Sequence, residues 1–280
     1  MTIETKMALS YANHDGVELQ GDLYLPKAGP LCPALVAVHG GGFRAGARNA
    51  YRFWGPYLAE RGYALFSVSY RLAKKGHKTF PQAVQDVLAA IRYLRANAAQ
   101  HGIDAERIGI LGASAGANLA SLAALGASAP VFANAYPGDA HASVSAKVKV
   151  LAGIYGIYDN VEMWRRYHAS SPHDNGVEQF LGVAPMADRN IYFDSSPISY
   201  ATIANNSVAV LLSWGTEDDL VNARAQSHEF LLALKQAGFF VRTCIVQGAP
   251  HYWMSDPIEE ATSYSGFLAP RLWRFLAEKL

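Results

Sequence analysis

Short, nearly continuous apolar runs that alternate with helical stretches constrain this chain more than any other feature. ALVAVH (34–39), YALFSVSY (63–70), IGIL (108–111), VKVLAGIYG (148–156), VAVLLSW (208–214) and VRTCIV (241–246) are each of strand length. A strand that is apolar throughout must be covered on both faces. VELQGDLYL (17–25) alternates instead, as a half-exposed strand does, and stops at Pro26. Between these runs lie helical segments. In 80–102, Val84, Val87, Leu88, Ile91 and Leu94 fall on one helical face, and Gly102 stands beyond the end as a cap. Further helices are expected from about residue 115, over 224–238 and at the end of the chain. Strand, helix, strand, helix with buried strands predicts an α/β fold: a mostly parallel sheet with helices on both faces.

The 280 residues suit a single domain spanning 1–280. Residues 157–205 break the rhythm with three prolines and only short helical pieces such as NVEMWRRY. A long irregular segment between two strands of a compact sheet tends to be functional, and a lid or cap over one end of the sheet is expected. The formal net charge is +1 and no basic run exceeds Lys74-Lys75, so no nucleic-acid partner is expected. No apolar run approaches the ~18 residues of a membrane span. The opening MTIETKMALSYANHDG has no basic and apolar leader pattern. Cys32 and Cys244 have neither metal-site nor redox-motif spacing. Together these make a cytoplasmic location the expectation. The oligomeric state is left open.

Chemistry concentrates in three places. Gly112-Ala113-Ser114-Ala115-Gly116 lies between an expected strand and an expected helix, the context in which G-x-S-x-G presents a nucleophilic serine on a tight turn. The plainer alternative is Ser114 as a helix cap among small residues. His39-Gly40-Gly41-Gly42-Phe43 follows an earlier strand. Consecutive glycines leave backbone N–H groups open to an oxyanion, whereas a merely flexible loop would need none of that order. Two late turns, GTEDDLV and QGAPHYW, supply Glu217, Asp218 and Asp219 on one side and His251 on the other. A serine hydroxyl needs a base, and the base needs a carboxylate to fix its tautomer. The order serine, acid, histidine is that of the α/β-hydrolases, and the residues alone leave three acids available. The nine histidines show no H-E-x-x-H or H-x-x-E-H spacing, so neither a metal nor a cofactor is expected.

H-G-G-G-F, S-Y-R-L-A (69–73), F-P-Q-A-V-Q-D-V (80–87), G-A-S-A-G, S-P-I-S-Y (196–200), G-T-E-D-D-L-V and the late His251 together resemble the α/β-hydrolase superfamily. More narrowly, they resemble its hormone-sensitive-lipase-like and bacterial feruloyl-esterase-like carboxylesterases. The resemblance implies about eight strands, Ser114 as nucleophile, His251 as base and Asp218 as its partner. It also implies an oxyanion hole formed by the backbone N–H groups of Gly41, Gly42 and Ala115. Phe43, Tyr155, Trp164 and Trp253, near the motif ends, are candidate pocket residues. The expected activity is hydrolysis of a small-molecule carboxylic ester, with a small or aromatic substrate, through an acyl-enzyme. An arylformamidase-like amide hydrolase is the alternative within the fold. A non-catalytic binder is the alternative outside it, although a candidate for every catalytic role is present.

Overall fold

The computed structural model describes residues 3–27, 29–133 and 136–280; Met1 and Thr2, the first two residues of the segment read for a leader, lie outside it. Eight strands form one sheet: β1 (Ile3–His14), β2 (Val17–Pro26), β3 (Cys32–Val38), β4 (Ala64–Val68), β5 (Ile103–Ala113), β6 (Val150–Ile154), β7 (Ala209–Gly215) and β8 (Val241–Val246). Their spatial order is β1-β2-β4-β3-β5-β6-β7-β8. The first two pairings, β1 with β2 and β2 with β4, are antiparallel, and every later one is parallel. The sequence reading is met at β2 through β8. It missed β1, an edge strand.

Among the described residues, nine α-helices connect and cover the strands: α1 (Trp54–Ala59), α2 (Gln82–Ala96), α3 (Ala115–Leu125), α4 (Pro130–Ala133), α5 (Asn160–Ser170), α6 (Gly176–Leu181), α7 (Arg189–Asp194), α8 (Glu229–Gln236) and α9 (Tyr264–Lys279). The two-residue period of a strand divides the core into two layers. In β3, Val36 and Val38 belong to the layer that holds Leu88 of α2, Leu119 of α3 and Phe230 of α8. Leu35 and Ala37 belong to the opposite layer, with Trp54 of α1 and Leu272 and Phe275 of α9. Both layers are apolar, so β3 is buried at all seven residues.

Two expected helices are shorter than the sequence suggested. The 80–102 segment is helical only over Gln82–Ala96, then passes through a 3-10 turn at Ala99–His101 to Gly102, whose φ of +65° reverses the chain. The 224–238 segment begins with one wide π turn, Arg224–His228, before α8.

The crossover from β6 to β7 contains α5, α6 and α7 and covers the irregular 157–205 interval. These helices start where the sequence offers Asp159, Asn175 and Asp188, each of which accepts hydrogen bonds from two backbone N–H groups of the first turn. Gln226 fixes the base of the crossover: its Oε1 accepts from the N–H groups of Tyr158 (2.7 Å) and Asp159 (2.8 Å), and its Nε2 donates to the Asp159 carbonyl (2.9 Å). No described helix is long and apolar enough to cross a membrane.

Candidate active site

The parallel strands all end on one side of the sheet, and their exits converge there. Ala113, the last residue of β5, hands the chain to Ser114, the N-cap of α3, at φ 56° and ψ −125°. The Ser114 N–H donates to the Ile154 carbonyl on neighbouring β6 at 2.9 Å, which holds this unfavourable turn in place. The flanking glycines are required by close backbone approach. A Cβ on Gly112 would stand 2.3 Å from the Gly116 carbonyl oxygen, and one on Gly116 would stand 2.1 Å from that of Val38. The turn therefore nests against the exit of β3.

His251, after β8, brings its Nε2 to 2.9 Å from Ser114 Oγ. Its Nδ1 lies 2.6 Å from Asp218 Oδ2. A carboxylate only accepts, so Nδ1 carries the hydrogen and Nε2 is left to accept from the serine hydroxyl. Water is largely excluded, with the His251 and Asp218 side chains 3% and 1% exposed. The three candidate acids separate cleanly, because Glu217 and Asp219 are exposed. Asp218 Oδ1 also accepts from the N–H groups of Leu220 (3.0 Å) and Val221 (2.9 Å). Its inward side chain thus spans the turn, from these two backbone donors to His251.

The glycine loop lies over the serine. A Cβ on Gly40 would be 3.0 Å from the Cβ of Ser114, so only glycine permits the approach. Gly41, Gly42 and Phe43 have φ of 122°, 60° and 66° in succession, and the Gly41 carbonyl accepts from Arg44 and Ala45. Among the described residues, the N–H groups of Gly41, Gly42 and Ala115 have no acceptor. His39 braces the loop: its Nδ1–H donates to the Gly40 carbonyl at 2.8 Å and its ring stacks on Tyr70 at 4.4 Å. Burial lowers the pKa of His39 to about 4, so the ring is neutral and can keep this tautomer. The Tyr70 hydroxyl donates to the His39 carbonyl at 2.9 Å.

The four aromatic candidates are all buried. Tyr155, after β6, sets its ring 4.5 Å from His251, and its hydroxyl accepts from Met254 N–H. Trp253 packs edge-on against Tyr155 at 5.0 Å. Phe43 stacks on Phe180 of α6 at 4.0 Å, which joins the glycine loop to the 157–205 segment. Trp164 donates to Glu178 at 3.0 Å and stacks on His168. Two residues passed over in the sequence reading also stand at the site. Tyr252 lies edge-on to His251 at 4.5 Å, and Tyr167 of α5 sets its hydroxyl beside Gly42. Only the position of Tyr252, next to His251, could have been noticed in the sequence.

Residues 21–234 match the model of the BD-FAE family. Esterase LipQ of Mycobacterium tuberculosis is 31% identical over 214 residues, which are 75% of this chain and 47% of LipQ. The chain thus spans about half the length of this curated relative. Ethyl acetate hydrolase of Pseudomonas putida is 29% identical over 90% of this chain and 77% of its own. Among solved structures, esterase 2 of Thermogutta terrifontis, phosphoramylated by tabun, superposes with a TM-score of 0.78 at 22% identity, covering 99% of this chain and 94% of that one. The same esterase has been solved with propionate and with butyrate bound. The fold is therefore that of the α/β-hydrolase esterases.

Proposed function

The chain belongs to the BD-FAE family, and from that premise we propose that it hydrolyses small carboxylic esters through an acyl-enzyme on Ser114. The observation that carries the reading is the continuous relay from Ser114 Oγ through His251 to Asp218, at 2.9 and 2.6 Å. Ser114 Oγ attacks the ester carbon while its proton passes to His251 Nε2. Asp218 stabilises the imidazolium and holds its Nδ1–H. The N–H groups of Gly41, Gly42 and Ala115 receive the oxyanion, and each such donor is worth ~10²–10³ in rate elsewhere. The imidazolium then protonates the departing alkoxide. The same nitrogen takes a proton from water, which attacks the acyl-enzyme and releases the acid. No metal or cofactor takes part.

The 157–205 segment is the lid of this site in our reading. Its support is that α5 and α6 lean directly on the working parts. Phe180 meets Phe43, and Arg166 donates to the carbonyls of Asp219 and Leu220 in the turn that carries the acid. A short acyl chain is favoured because the aromatic residues nearest His251 are packed against one another. The propionate and butyrate held by the Thermogutta esterase are of that size. Cys32 and Cys244, both buried free thiols, suit a reducing cytoplasm.

A fluorophosphonate probe should label the protein and fail to label Ser114→Ala. Of p-nitrophenyl esters of graded length, those of about C2 to C6 should turn over fastest. An unlabelled parent, inert towards every ester, would remove the hydrolase reading. A preference for C12 would remove only the claim on chain length.

A further inference from the structure

The hydroxyl of Tyr167 stands beside the glycine loop without a hydrogen-bond partner among the described residues. It lies 3.5 Å from the point where a Cβ on Gly42 would stand, and Gly42, at φ +60°, offers one of the open N–H groups. Among the described residues this hydroxyl makes no hydrogen bond. Three neighbouring phenols are engaged, Tyr155 with Met254, Tyr70 with His39 and Tyr51 with the Val38 carbonyl; that of Tyr252, beside His251, is not.

The position of Tyr167 is built rather than incidental. Helix α5 is capped at its start by Asp159 and tied to the acid turn by Arg166. It is tied to α6 by Asn175, whose Nδ2 donates to the Trp164 carbonyl at 2.9 Å. All three ties act on α5 before Tyr167, the last of them at its neighbour Arg166. A tyrosine on a helix held this way, with an unbonded hydroxyl beside a glycine, can donate to something that arrives later.

Resting on the hydrolase reading above, we propose that Tyr167 is a further oxyanion donor: its phenolic O–H bonds the developing oxyanion together with the backbone N–H groups of Gly41, Gly42 and Ala115. No proton is transferred, because the phenol donates a hydrogen bond and keeps its hydrogen throughout. Burial pushes its pKa up, Tyr252 pushes it the same way, and the nearby cation Arg44 is already paired with Asp174 at 2.5 Å. It therefore remains a donor across the working range of the enzyme. The donor is supplied by the 157–205 segment and not by the sheet, so the oxyanion site is complete only when α5 is seated.

The test is Tyr167→Phe, which removes one oxygen that bonds nothing in the described protein. Its melting temperature should equal the parent's. On p-nitrophenyl butyrate, kcat should fall roughly 10²-fold at nearly constant KM, the signature of a contact made only in the transition state. A trifluoromethyl ketone, which forms a tetrahedral adduct on Ser114, should bind the variant more weakly by about the same factor. Fluorophosphonate labelling of Ser114 should persist. An unchanged kcat, or a raised KM at constant kcat, would overturn the proposal, as would unaltered affinity for the ketone. A parent that hydrolyses no ester would sink the hydrolase reading and this proposal with it. An active parent matched by Tyr167→Phe would sink this proposal alone.

Discussion

Asp218→Asn is the sharpest perturbation of the relay, because the surroundings dictate how the amide must sit. Oδ1 of Asp218 accepts from two backbone N–H groups, those of Leu220 and Val221, while Oδ2 accepts from His251. An asparagine must keep its oxygen on the two backbone donors, since the opposite orientation would set an NH₂ against both. Its NH₂ therefore faces His251 Nδ1. That nitrogen must then become an acceptor, so the imidazole hydrogen moves to Nε2 and points at Ser114 Oγ. The serine has lost its base, although every atom remains nearly in place. The same substitution in another Ser-His-Asp enzyme costs ~10⁴ in kcat, equivalent to about 5.5 kcal/mol of barrier. We expect a loss of that size here. The cost in stability should be below about 1 kcal/mol, because both bonds to the turn survive. Initial rates on p-nitrophenyl butyrate measure the first quantity and urea unfolding the second. Glu217→Gln and Asp219→Asn should stay within about tenfold of the parent, since both side chains are exposed. A nearly normal Asp218→Asn enzyme would refute the reasoning, and so would a comparable loss in either control.

Gly116→Ala should lose most of its activity and about 3 kcal/mol of stability, because its methyl would meet the backbone carbonyls of Val38 and His39 at 2.1 and 2.4 Å. An unaltered urea midpoint would contradict the close nesting of the serine turn on β3. His39 should make stability fall with acid. Its pKa is 6.5 unfolded and about 4 folded, so between these values the unfolded chain binds more protons. From pH 7.5 to 5 the parent should therefore lose about 2 kcal/mol more than His39→Gln; equal losses in the two would show that His39 is not held neutral. Gln226→Leu leaves the N–H groups of Tyr158 and Asp159 unpaired inside the protein, and should cost about 2–4 kcal/mol by urea unfolding. A variant as stable as the parent would mean that this glutamine does not anchor the crossover.

What could be read from the sequence follows what burial writes into it. Strands covered on both faces must be apolar throughout, so β3, β4, β5, β6 and β7 were visible as runs. Strand β1 was not, because it is an edge strand with most of its residues exposed or half-exposed. Its pairing with β2 also slips between Lys6 and Leu9 and again between Ser10 and Ala12, and a slipped register erases the two-residue period. The serine turn and the glycine loop were legible because close backbone approach demands glycine at fixed positions. Asp218 was not singled out by residue type: three carboxylates stand in a row, and only the direction of the turn buries its side chain and exposes its neighbours. Tyr167 was invisible for a related reason. Its place beside Gly42 depends on how α5 docks, and no local pattern records docking.

The distribution of backbone strain ties the sheet to the chemistry. Seven non-glycine residues among those described have positive φ, and four of them, Phe43, Ser114, Tyr155 and Tyr252, follow the exits of β3, β5, β6 and β8. Each such residue costs about 1–3 kcal/mol and persists only where its surroundings overdetermine it. Three are pinned. The Phe43 carbonyl accepts from Ala73, and its ring lies on Phe180. The Ser114 N–H is bonded to β6, and the Tyr155 N–H to the Ser213 carbonyl of β7 at 2.6 Å. In the last two cases the pinning acceptor is a backbone carbonyl of the adjacent parallel strand, just where the ladder between the two strands ends. The end of the ladder leaves carbonyls free, and the unfavourable turns use them. Tyr252 is the exception: it is 60% exposed, and its ring lies edge-on to His251. A glycine would hold that conformation at lower cost. A bulky residue at that point is therefore accounted for by the ring it sets beside His251, and not by the fold of the turn.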